Sequence, residues 1–192
     1  MSTLEIFAVI ISIIGVGLTI LRHMWCWFFN FLAYILYGYL FYTYQLYGEV
    51  ILQFIFLAMN FYGLYFWLKT KQQEHEIRIE TPIKSHLLYQ IILTAILGLF
   101  FGISLKYFTN AAVPMLDAQL AAFSLLATYW TSRKYIATWL LWVVVDIIYV
   151  GMFLYKDLYL TSALYAMFVI MAFYGWKKWK VTKQNQSSNI LA

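Results

Sequence analysis

The sequence predicts an all-α membrane protein with seven transmembrane helices, and three observations predict this fold. Of the 192 residues, 64% are hydrophobic and 11% are charged, whereas a soluble domain typically has about 25% charged residues. The hydrophobic residues form blocks of about 18–22 residues, which is the length an α-helix needs to cross the hydrocarbon core of a bilayer. In addition, two distant parts of the chain align with each other without a gap.

Seven hydrophobic blocks define the predicted spans. Their connections are short, apart from a polar stretch over residues 69–85. Pro82 and Pro114 are the only prolines and lie outside the blocks, so no predicted helix has a proline kink. The polar residues from 177 onward predict a loose tail. The blocks cover residues 4–21, 25–43, 48–68, 86–105, 116–131, 136–155 and 159–176.

Lysine and arginine are distributed unevenly between the two sides of this predicted bundle. Eleven of the 13 lie on the side of the long loop and the C-terminus, and only Lys106 and Lys156 lie on the other. Positive loops stay in the cytoplasm, so we predict a bacterial inner-membrane protein with its N-terminus outside and its C-terminus inside. The first block lacks a basic n-region and a cleavage site, which indicates a retained span and not a signal peptide.

The net charge of +5 does not indicate nucleic-acid binding, because the basic residues are scattered over the ends of the hydrophobic blocks. The single cysteine, Cys26, excludes an intrachain disulfide.

The internal repeat relates the first three hydrophobic blocks to the last three. Residues 4–67 align with residues 116–179 and share 16 identities in 64 positions. The identities include aromatic pairs such as Trp27 with Trp139 and Tyr37 with Tyr149, which biased composition rarely produces. Three spans end on the opposite side of the membrane from where they begin. A second copy in the same orientation therefore needs one extra span, which residues 87–105 supply.

This arrangement predicts 3+1+3 parallel repeats of the SWEET-like type, in which a substrate site lies near mid-membrane between the two halves. Transport is therefore the function class that the symmetry favours. The predicted organisation is a first repeat (1–68), a cytoplasmic loop with the linking helix (69–115), a second repeat (116–180) and a polar cytoplasmic tail (181–192).

Asp146 is the one carboxylate deep inside a predicted span. A charge at the bilayer centre costs at least about 2.5–3.5 kcal/mol, so it needs a partner, a water-filled cavity or a function. Its neighbours at helical spacing place an aromatic face around it, which suits a flat organic cation through charge pairing and cation–π attraction. The alternative is a hydrogen bond to a neighbouring helix. This face consists of Trp139, Trp142, Asp146, Tyr149 and Phe153.

The corresponding face of the first repeat keeps the aromatic side chains but has Tyr34 in place of the acid. Two halves that are alike in shape and unlike in charge suit an asymmetric ligand. Packing and interfacial belts are the alternative, and Trp27, Trp67, Trp139 and Trp179 lie near span ends as belt residues do. This face consists of Trp27, Asn30, Tyr34, Tyr37 and Phe41.

The third span places Gln53 and Asn60 on one stripe, and the seventh places Tyr165 at the position of Gln53. The two amides could bond a hydroxyl, a carboxamide or an aminopyrimidine edge. They could equally join helices, a role worth about 0.6 kcal/mol on average.

Catalysis and metal binding have little support in the sequence. It contains no GxSxG, HExxH, CxxC or glycine-rich phosphate loop, and its three histidines lie at span ends or in the loop. The segment Glu74-His75-Glu76 could bind a metal but is more typical of a solvated loop. We therefore predict no catalytic residue, metal or cofactor. With a single buried carboxylate, facilitated diffusion is favoured over ion-coupled transport.

Several runs resemble the PnuC family of vitamin transporters: WCWFF (25–29), YGYLFYTYQLYGEVILQ (37–53), NFYGLYFW (60–67) and SRKYIATWLLWVVVD (132–146). The resemblance covers residues 4–179, and its most specific part, TWLLW, is similar to the NWLLW of that family. It implies a SWEET-like fold, a homotrimer, and facilitated diffusion of nicotinamide riboside that a cytoplasmic kinase then traps. The substrate contacts it implies are Gln53, Asn60, Trp139, Trp142, Asp146 and Tyr165.

The chain also departs from the family pattern, since Ala33 and Asp146 stand where a family member has asparagine. An aspartate suits the pyridinium of nicotinamide riboside and the thiazolium of thiamine equally well. A thiamine transporter of the same family is therefore the alternative function. A membrane assembly subunit and an intramembrane enzyme are the less favoured classes.

Overall fold

The computed structural model describes residues 3–43, 47–74, 77–108, 113–155 and 159–191, and within these ranges it forms seven α-helices. They lie where the hydrophobic blocks predict them, so the all-α, seven-helix prediction is confirmed. By length and composition, three described stretches could cross a membrane, namely Val50–Gln72, Lys84–Tyr107 and Ala137–Tyr155. The helices are α1 (Thr3–Ile20), α2 (Trp25–Thr43), α3 (Tyr47–Glu74), α4 (Lys84–Phe108), α5 (Pro114–Ser132), α6 (Ala137–Tyr155) and α7 (Tyr159–Leu191).

Six of the helices contact one another in a closed ring. Going round it, α1 contacts α2, α2 contacts α3, α3 contacts α5, α5 contacts α6, α6 contacts α7, and α7 returns to α1. The helix α4 packs on α5 outside this ring. Large hydrophobic side chains of α4 are exposed, among them Ile96 and Phe100 at 59% and 64%. Such an outer surface is typical of a helix that faces lipid or another membrane chain.

The ends of α1 and α5 have the same backbone conformation at positions that the repeat aligns. Arg22 and Lys134 both adopt the left-handed conformation, with φ of 56° and 60°. The next amides close matching 2.9 Å hydrogen bonds, from His23 N to Leu18 O and from Tyr135 N to Trp130 O. Left-handed residues commonly end helices because they let these amides satisfy the last free carbonyls. The two helix ends, 112 residues apart, thus share one backbone conformation.

Four buried tryptophans form the core at this end of the bundle. Trp27 packs edge-to-face on Trp67 with ring centroids 5.2 Å apart, and Trp139 packs on Trp179 in the same way at 5.3 Å. None is more than 3% exposed. The interpretation of these residues as an interfacial belt is therefore wrong. Two of the rings pack on a glycine of a neighbouring helix, Trp27 on Gly63 and Trp139 on Gly175, which leaves room for them inside the bundle.

We call α1–α3 the first half of the bundle and α5–α7 the second half. Both tryptophan pairs also form a hydrogen bond to the other half. Trp67 Nε1 on α3 donates to Thr131 O on α5 at 3.2 Å, and Trp179 Nε1 on α7 donates to Ile20 O on α1 at 3.1 Å. Both acceptors are carbonyls in the last turn of a helix, where the regular helical bonding pattern ends.

An extended segment, residues 77–81, crosses the same end of the bundle, and we call it the strap. Its backbone pairs with the second half through Glu80 N to Lys134 O (3.0 Å) and Ile136 N to Glu80 O (3.1 Å). Arg22 Nη1 donates to Ile77 O at 2.7 Å from the first half. Ile77 and Ile79 are buried beside the tryptophans, whereas Arg78 and Glu80 are exposed. The strap therefore contacts both halves.

Two predictions about this end are wrong. The residues from 177 onward continue α7 as a helix to Leu191 and are not loose. Gln186 on this extension bonds Ile79 N at 3.2 Å and Ile77 O at 3.3 Å, so the strap gives the tail a surface to pack on. The 69–85 stretch is likewise no simple loop, because α3 continues to Glu74. His75 and Glu76, named above as a possible metal segment, lie outside the described residues.

Candidate functional site

The predicted face of α6 points into the bundle. Trp139 and Asp146 are 3% and 4% exposed, and Trp142, Tyr149 and Phe153 are partly buried. The other side of the helix faces outward, with large hydrophobic residues exposed. This division follows from the spacing of three and four residues, which keeps side chains on one side of a helix. The outward residues are Leu140, Val144, Ile147, Ile148, Leu154 and Tyr155.

Asp146 has no hydrogen-bond or ion-pair partner among the residues that the structure describes. The interhelical hydrogen bond considered as its alternative role is therefore not formed within these ranges. A buried carboxylate without a partner is costly in a membrane, because neither water nor a counter-charge stabilises it.

The structure brings two predicted site residues, Tyr149 and Tyr165, into contact. The rings of Tyr149 on α6 and Tyr165 on α7 lie 4.7 Å apart, and both contact Phe153, at 5.7 and 5.1 Å. Phe168 extends this cluster along α7, 5.8 Å from Tyr165. Tyr149 lies three residues after Asp146, on the same face, so an aromatic wall stands one turn from the carboxylate.

The corresponding positions of the first half are occupied differently. Tyr34, at the position of Asp146, stacks on Phe56 of α3 with ring centroids 5.5 Å apart. Asn30, at the position of Trp142, places its Oδ1 against the backbone of Gly15 on α1. Gln53 lies against Gly38 of α2. Asn30 and Gln53 therefore sit at helix–helix contacts, and the structure does not bring them to the aromatic cluster around Tyr165.

Asn60 is 2% exposed and donates from Nδ2 to Trp27 O at 3.0 Å, which joins α3 to α2. Its Oδ1 has no partner among the described residues, and neither has Trp27 Nε1 or Trp139 Nε1. Unsatisfied buried polar atoms are rare in native proteins and require an explanation. Two of the three atoms belong to predicted site residues, Asn60 and Trp139. The third is the repeat counterpart of Trp139.

A cavity of about 430 Å³ lies between α2 and α3, and Asn60 is the one predicted site residue on its lining. A second cavity, of about 320 Å³, lies at the end of α1 and includes Arg22, His23 and Lys71. Neither cavity reaches Asp146. No group of three or more His, Cys, Asp or Glu side chains that could hold a metal ion occurs within the described ranges.

The structural feature that the sequence interpretation missed is the strap, which contacts the bundle near Arg22 and Lys134. One signal could have revealed it. The run Ile77-Arg78-Ile79-Glu80 alternates hydrophobic and charged residues, and this pattern is typical of an extended segment with one buried face.

Comparisons with known proteins agree on one family. Residues 2–181 match the family described as nicotinamide mononucleotide transporter. The chain is 27% identical to the nicotinamide riboside transporter PnuC of Escherichia coli strain K12, over all of this chain and 91% of that protein. It is 25% identical to the transporter of the same name from Neisseria mucosa, over 82% of this chain and 64% of that protein.

The fold also matches a solved structure, described as the crystal structure of the vitamin B3 transporter PnuC. The TM-score is 0.77, over 95% of this chain and 82% of that one, at 23% sequence identity. This match supports the fold alone, whereas the family match rests on nearly the whole sequence. The chain is a multi-pass membrane protein and belongs to the nicotinamide mononucleotide transporter family.

Proposed function

We propose that this protein transports nicotinamide riboside across the membrane by facilitated diffusion. The observation that carries the proposal is Asp146, a buried carboxylate without a partner among the described residues, on an aromatic face of a transporter-family chain. The pyridinium of nicotinamide riboside would supply the missing positive charge, and the Tyr149–Tyr165 cluster would provide the aromatic surface. Both curated relatives described above are named nicotinamide riboside transporters.

The riboside suits this site better than the phosphorylated mononucleotide in the family description. A phosphate group would bring negative charge into a bundle whose inward face carries an unpaired carboxylate. The same charge repulsion would make net transport run into the cytoplasm. Phosphorylation of the riboside in the cytoplasm would yield an anion that the site rejects, so the product would not return.

We propose that Asp146, Trp142, Tyr149, Tyr165 and Trp139 contact the substrate from the second half. Asn60, Gln53, Tyr34 and Asn30 would contribute from the first half once the two halves separate. Asn60 Oδ1 and Trp139 Nε1 support this, because both are buried without a hydrogen-bond partner among the described residues and could bond a substrate. Asn30 and Gln53 are the weakest members of this set, since both already pack at helix contacts.

The architecture we propose is the SWEET-like 3+1+3 repeat, with repeats at 1–68 and 116–180 and α4 as the linking helix. The ring order supports it, because an exchange of α1–α3 with α5–α7 leaves every neighbour relation unchanged. We also propose a homotrimer in the bacterial inner membrane, with the N-terminus outside and the C-terminus in the cytoplasm, as the 11:2 division of lysine and arginine favours. Reporter fusions at the C-terminus and the mass of the purified assembly test these two points.

Uptake into proteoliposomes without a kinase tests the function. Radiolabelled nicotinamide riboside should equilibrate with the interior without a proton or sodium gradient. Thiamine serves as the competing cation and nicotinamide mononucleotide as the anionic control. Faster uptake of thiamine would assign the chain to the alternative substrate. Accumulation above the external concentration under either gradient would contradict facilitated diffusion. The absence of uptake of all three compounds would reopen the assembly-subunit and enzyme classes.

A further inference from the structure

Two aligned pairs of positions differ in one respect, which is the presence of a stacked ring. The sequence alignment pairs Tyr34 with Asp146 and Phe56 with Phe168. In the first half, the Tyr34 ring lies parallel to the Phe56 ring, with the centroids 5.5 Å apart and the planes 10° apart. Such an offset stack is a favoured arrangement of two aromatic rings. Because an aspartate side chain has no ring, the residue at the position of Tyr34 in the second half cannot cover Phe168 in this way.

The register of α6 against α7 brings Asp146 opposite Phe168. At one end, Trp139 packs on Gly175. Trp139 lies seven residues before Asp146, and Gly175 lies seven residues after Phe168. The aligned tryptophan and glycine of the first half also contact each other, at the same spacing from the two stacked rings. The helices of the second half are therefore in the register that brings the stacked pair together in the first half.

A contact further along α6 agrees with this register. Ser162 Oγ on α7 donates to Val150 O on α6 at 3.1 Å. Val150 lies four residues after Asp146, and Ser162 lies six residues before Phe168. Asp146 and Phe168 thus lie between two observed contacts of α6 with α7.

Phe168 is partly buried, and its one ring neighbour among the described residues is Tyr165. The two rings are nearly perpendicular, with the planes 78° apart and the centroids 5.8 Å apart. No ring of the described residues lies parallel to Phe168. A flat ligand ring placed as the Tyr34 ring is placed in the first half would stack on Phe168. Its edge would meet the carboxylate of Asp146, which takes the place of the inner part of the tyrosine side chain.

We propose that Phe168 is the residue on which the pyridinium ring of the substrate stacks, and that it makes the site selective for flat aromatic cations. The inference rests on the proposed function and adds to it a residue that determines specificity. An electron-poor, positively charged ring is attracted to the face of a phenylalanine, and Asp146 supplies the opposite charge at its edge. Tyr34 fills the corresponding place of the first half, so the chain presents one such place and not two.

Isothermal titration calorimetry of the purified full chain in detergent tests this proposal. The two ligands are nicotinamide riboside and its reduced dihydro form, whose ring is neutral and no longer aromatic. The wild type should prefer the oxidised form. Phe168→Leu should weaken binding of that form about 2- to 30-fold and binding of the reduced form much less, so the preference narrows. Phe56→Leu removes the aligned ring of the first half and should leave the preference unchanged.

Thiamine, a second flat cation, separates this proposal from the choice of substrate. If the wild type binds thiamine and not the riboside, Phe168→Leu should weaken thiamine binding by the same factor. Binding of neither cation by the wild type would contradict the proposed function. A wild type that binds but does not prefer the aromatic cation would overturn this inference alone. An undiminished preference in Phe168→Leu, or an equal narrowing in Phe56→Leu, would do the same.

Asp146→Tyr tests the place above Phe168 without any ligand. It introduces the residue that the first half has at this position, so the new ring should stack on Phe168 and the variant should bind neither cation. Its melting temperature should exceed that of Asp146→Asn by about 2–4 °C. The gain should disappear when Phe168→Leu is added to both variants. A loss of folded Asp146→Tyr, or a gain that persists without Phe168, would contradict the proposed position of the ring.

Discussion

On the inward face of α2, Tyr34 stacks on Phe56 with ring centroids 5.5 Å apart, and the ring fills its place in the packing. At the position of α6 that the repeat aligns with Tyr34, Asp146 is 4% exposed and has no partner among the described residues. Around this difference the two halves agree closely. Both first helices end at a left-handed residue, and both third helices donate an indole hydrogen bond to the other half.

The positions that agree between the halves and those that differ indicate two kinds of constraint on the sequence. The tryptophan pairs, the glycines beneath them and the left-handed corners recur because each half must close against the other in the same way. The polar residues of the candidate site differ between the halves: Asp146 corresponds to Tyr34, Asn60 to Ala172, and Tyr165 to Gln53. The repeated tryptophans and glycines pack both halves in the same way, and we propose that the differing positions of Asp146, Asn60 and Tyr165 recognise an asymmetric ligand.

The largest expected effect concerns substrate affinity. Neutralising one partner of a buried ion pair typically costs about 2–5 kcal/mol, so Asp146→Asn should weaken nicotinamide riboside binding about 30-fold or more. Tyr34→Phe, its counterpart in the other half, should change affinity far less. The same Asp146→Asn variant should be at least as heat-stable as the wild type, because it neutralises a buried carboxylate that has no partner within the described ranges.

Tryptophan-fluorescence titration and thermal unfolding in detergent measure the two quantities. Equal dissociation constants for the wild type and Asp146→Asn would remove this residue from the site. A large loss of stability would instead assign it a structural role.

The glycines beneath the tryptophans allow a comparison of the two halves in folding stability. A Cβ at Gly63 would overlap the Trp27 ring and lie 2.6 Å from Ser132 Oγ, whereas one at Gly175 would lie 2.7 Å from the Trp139 ring. Overpacking of this kind typically costs about 1–3 kcal/mol. We expect Gly63→Ala to reach or exceed the upper end of this range and Gly175→Ala to cost less.

Gly17 and Gly151 are the controls, since a Cβ at either position would meet no atom within 4 Å. Alanine there should be neutral or stabilising by about 0.5–1 kcal/mol, because alanine favours the helix. Thermal unfolding followed by size-exclusion chromatography ranks the four variants. If all four behave alike, the tight seating of the tryptophans is wrong.

The attachment of the strap to the C-terminal part of α7 can also be tested. Gln186→Ala removes the hydrogen bonds to Ile79 N and Ile77 O, each worth about 0.5–1.5 kcal/mol. The strap should open more often, so trypsin should cleave after the exposed Arg78 about 5- to 150-fold faster. Gln184→Ala, on the exposed side of the same helix, should leave the cleavage rate unchanged. Equal rates for the two variants would contradict the attachment.

The smallest expected effect separates the two members of each tryptophan pair. Trp67→Phe and Trp179→Phe lose an interhelical hydrogen bond, whereas Trp27→Phe and Trp139→Phe remove an N–H that has no partner among the described residues. All four lose similar ring area, so the difference within a pair should be about 1 kcal/mol of unfolding free energy. Chemical denaturation in detergent measures it. A reversed order within either pair would show that the assignment of hydrogen bonds is wrong.

The sequence predicted the helices because lipid imposes a simple rule on composition. A chain that crosses a bilayer must satisfy its backbone inside helices of about 20 hydrophobic residues, and those blocks are visible without a structure. The face of α6 was also predictable, since a spacing of three and four residues fixes a side of the helix whatever it packs against. The gapless alignment of 4–67 with 116–179 correctly identified the matching tryptophans and glycines.

Where these residues lie was decided by tertiary contacts. Periodicity placed the four tryptophans near the span ends, but the packing of Trp27 beside Gly63 and of Trp139 beside Gly175 is what buries them. The tail beyond residue 176 is polar, as the sequence shows. It is nevertheless helical to Leu191, because the strap, far away in the sequence, offers Gln186 two backbone partners. Local sequence determined which residues form helices and which face they share, and partners distant in the chain decided which of those faces are buried.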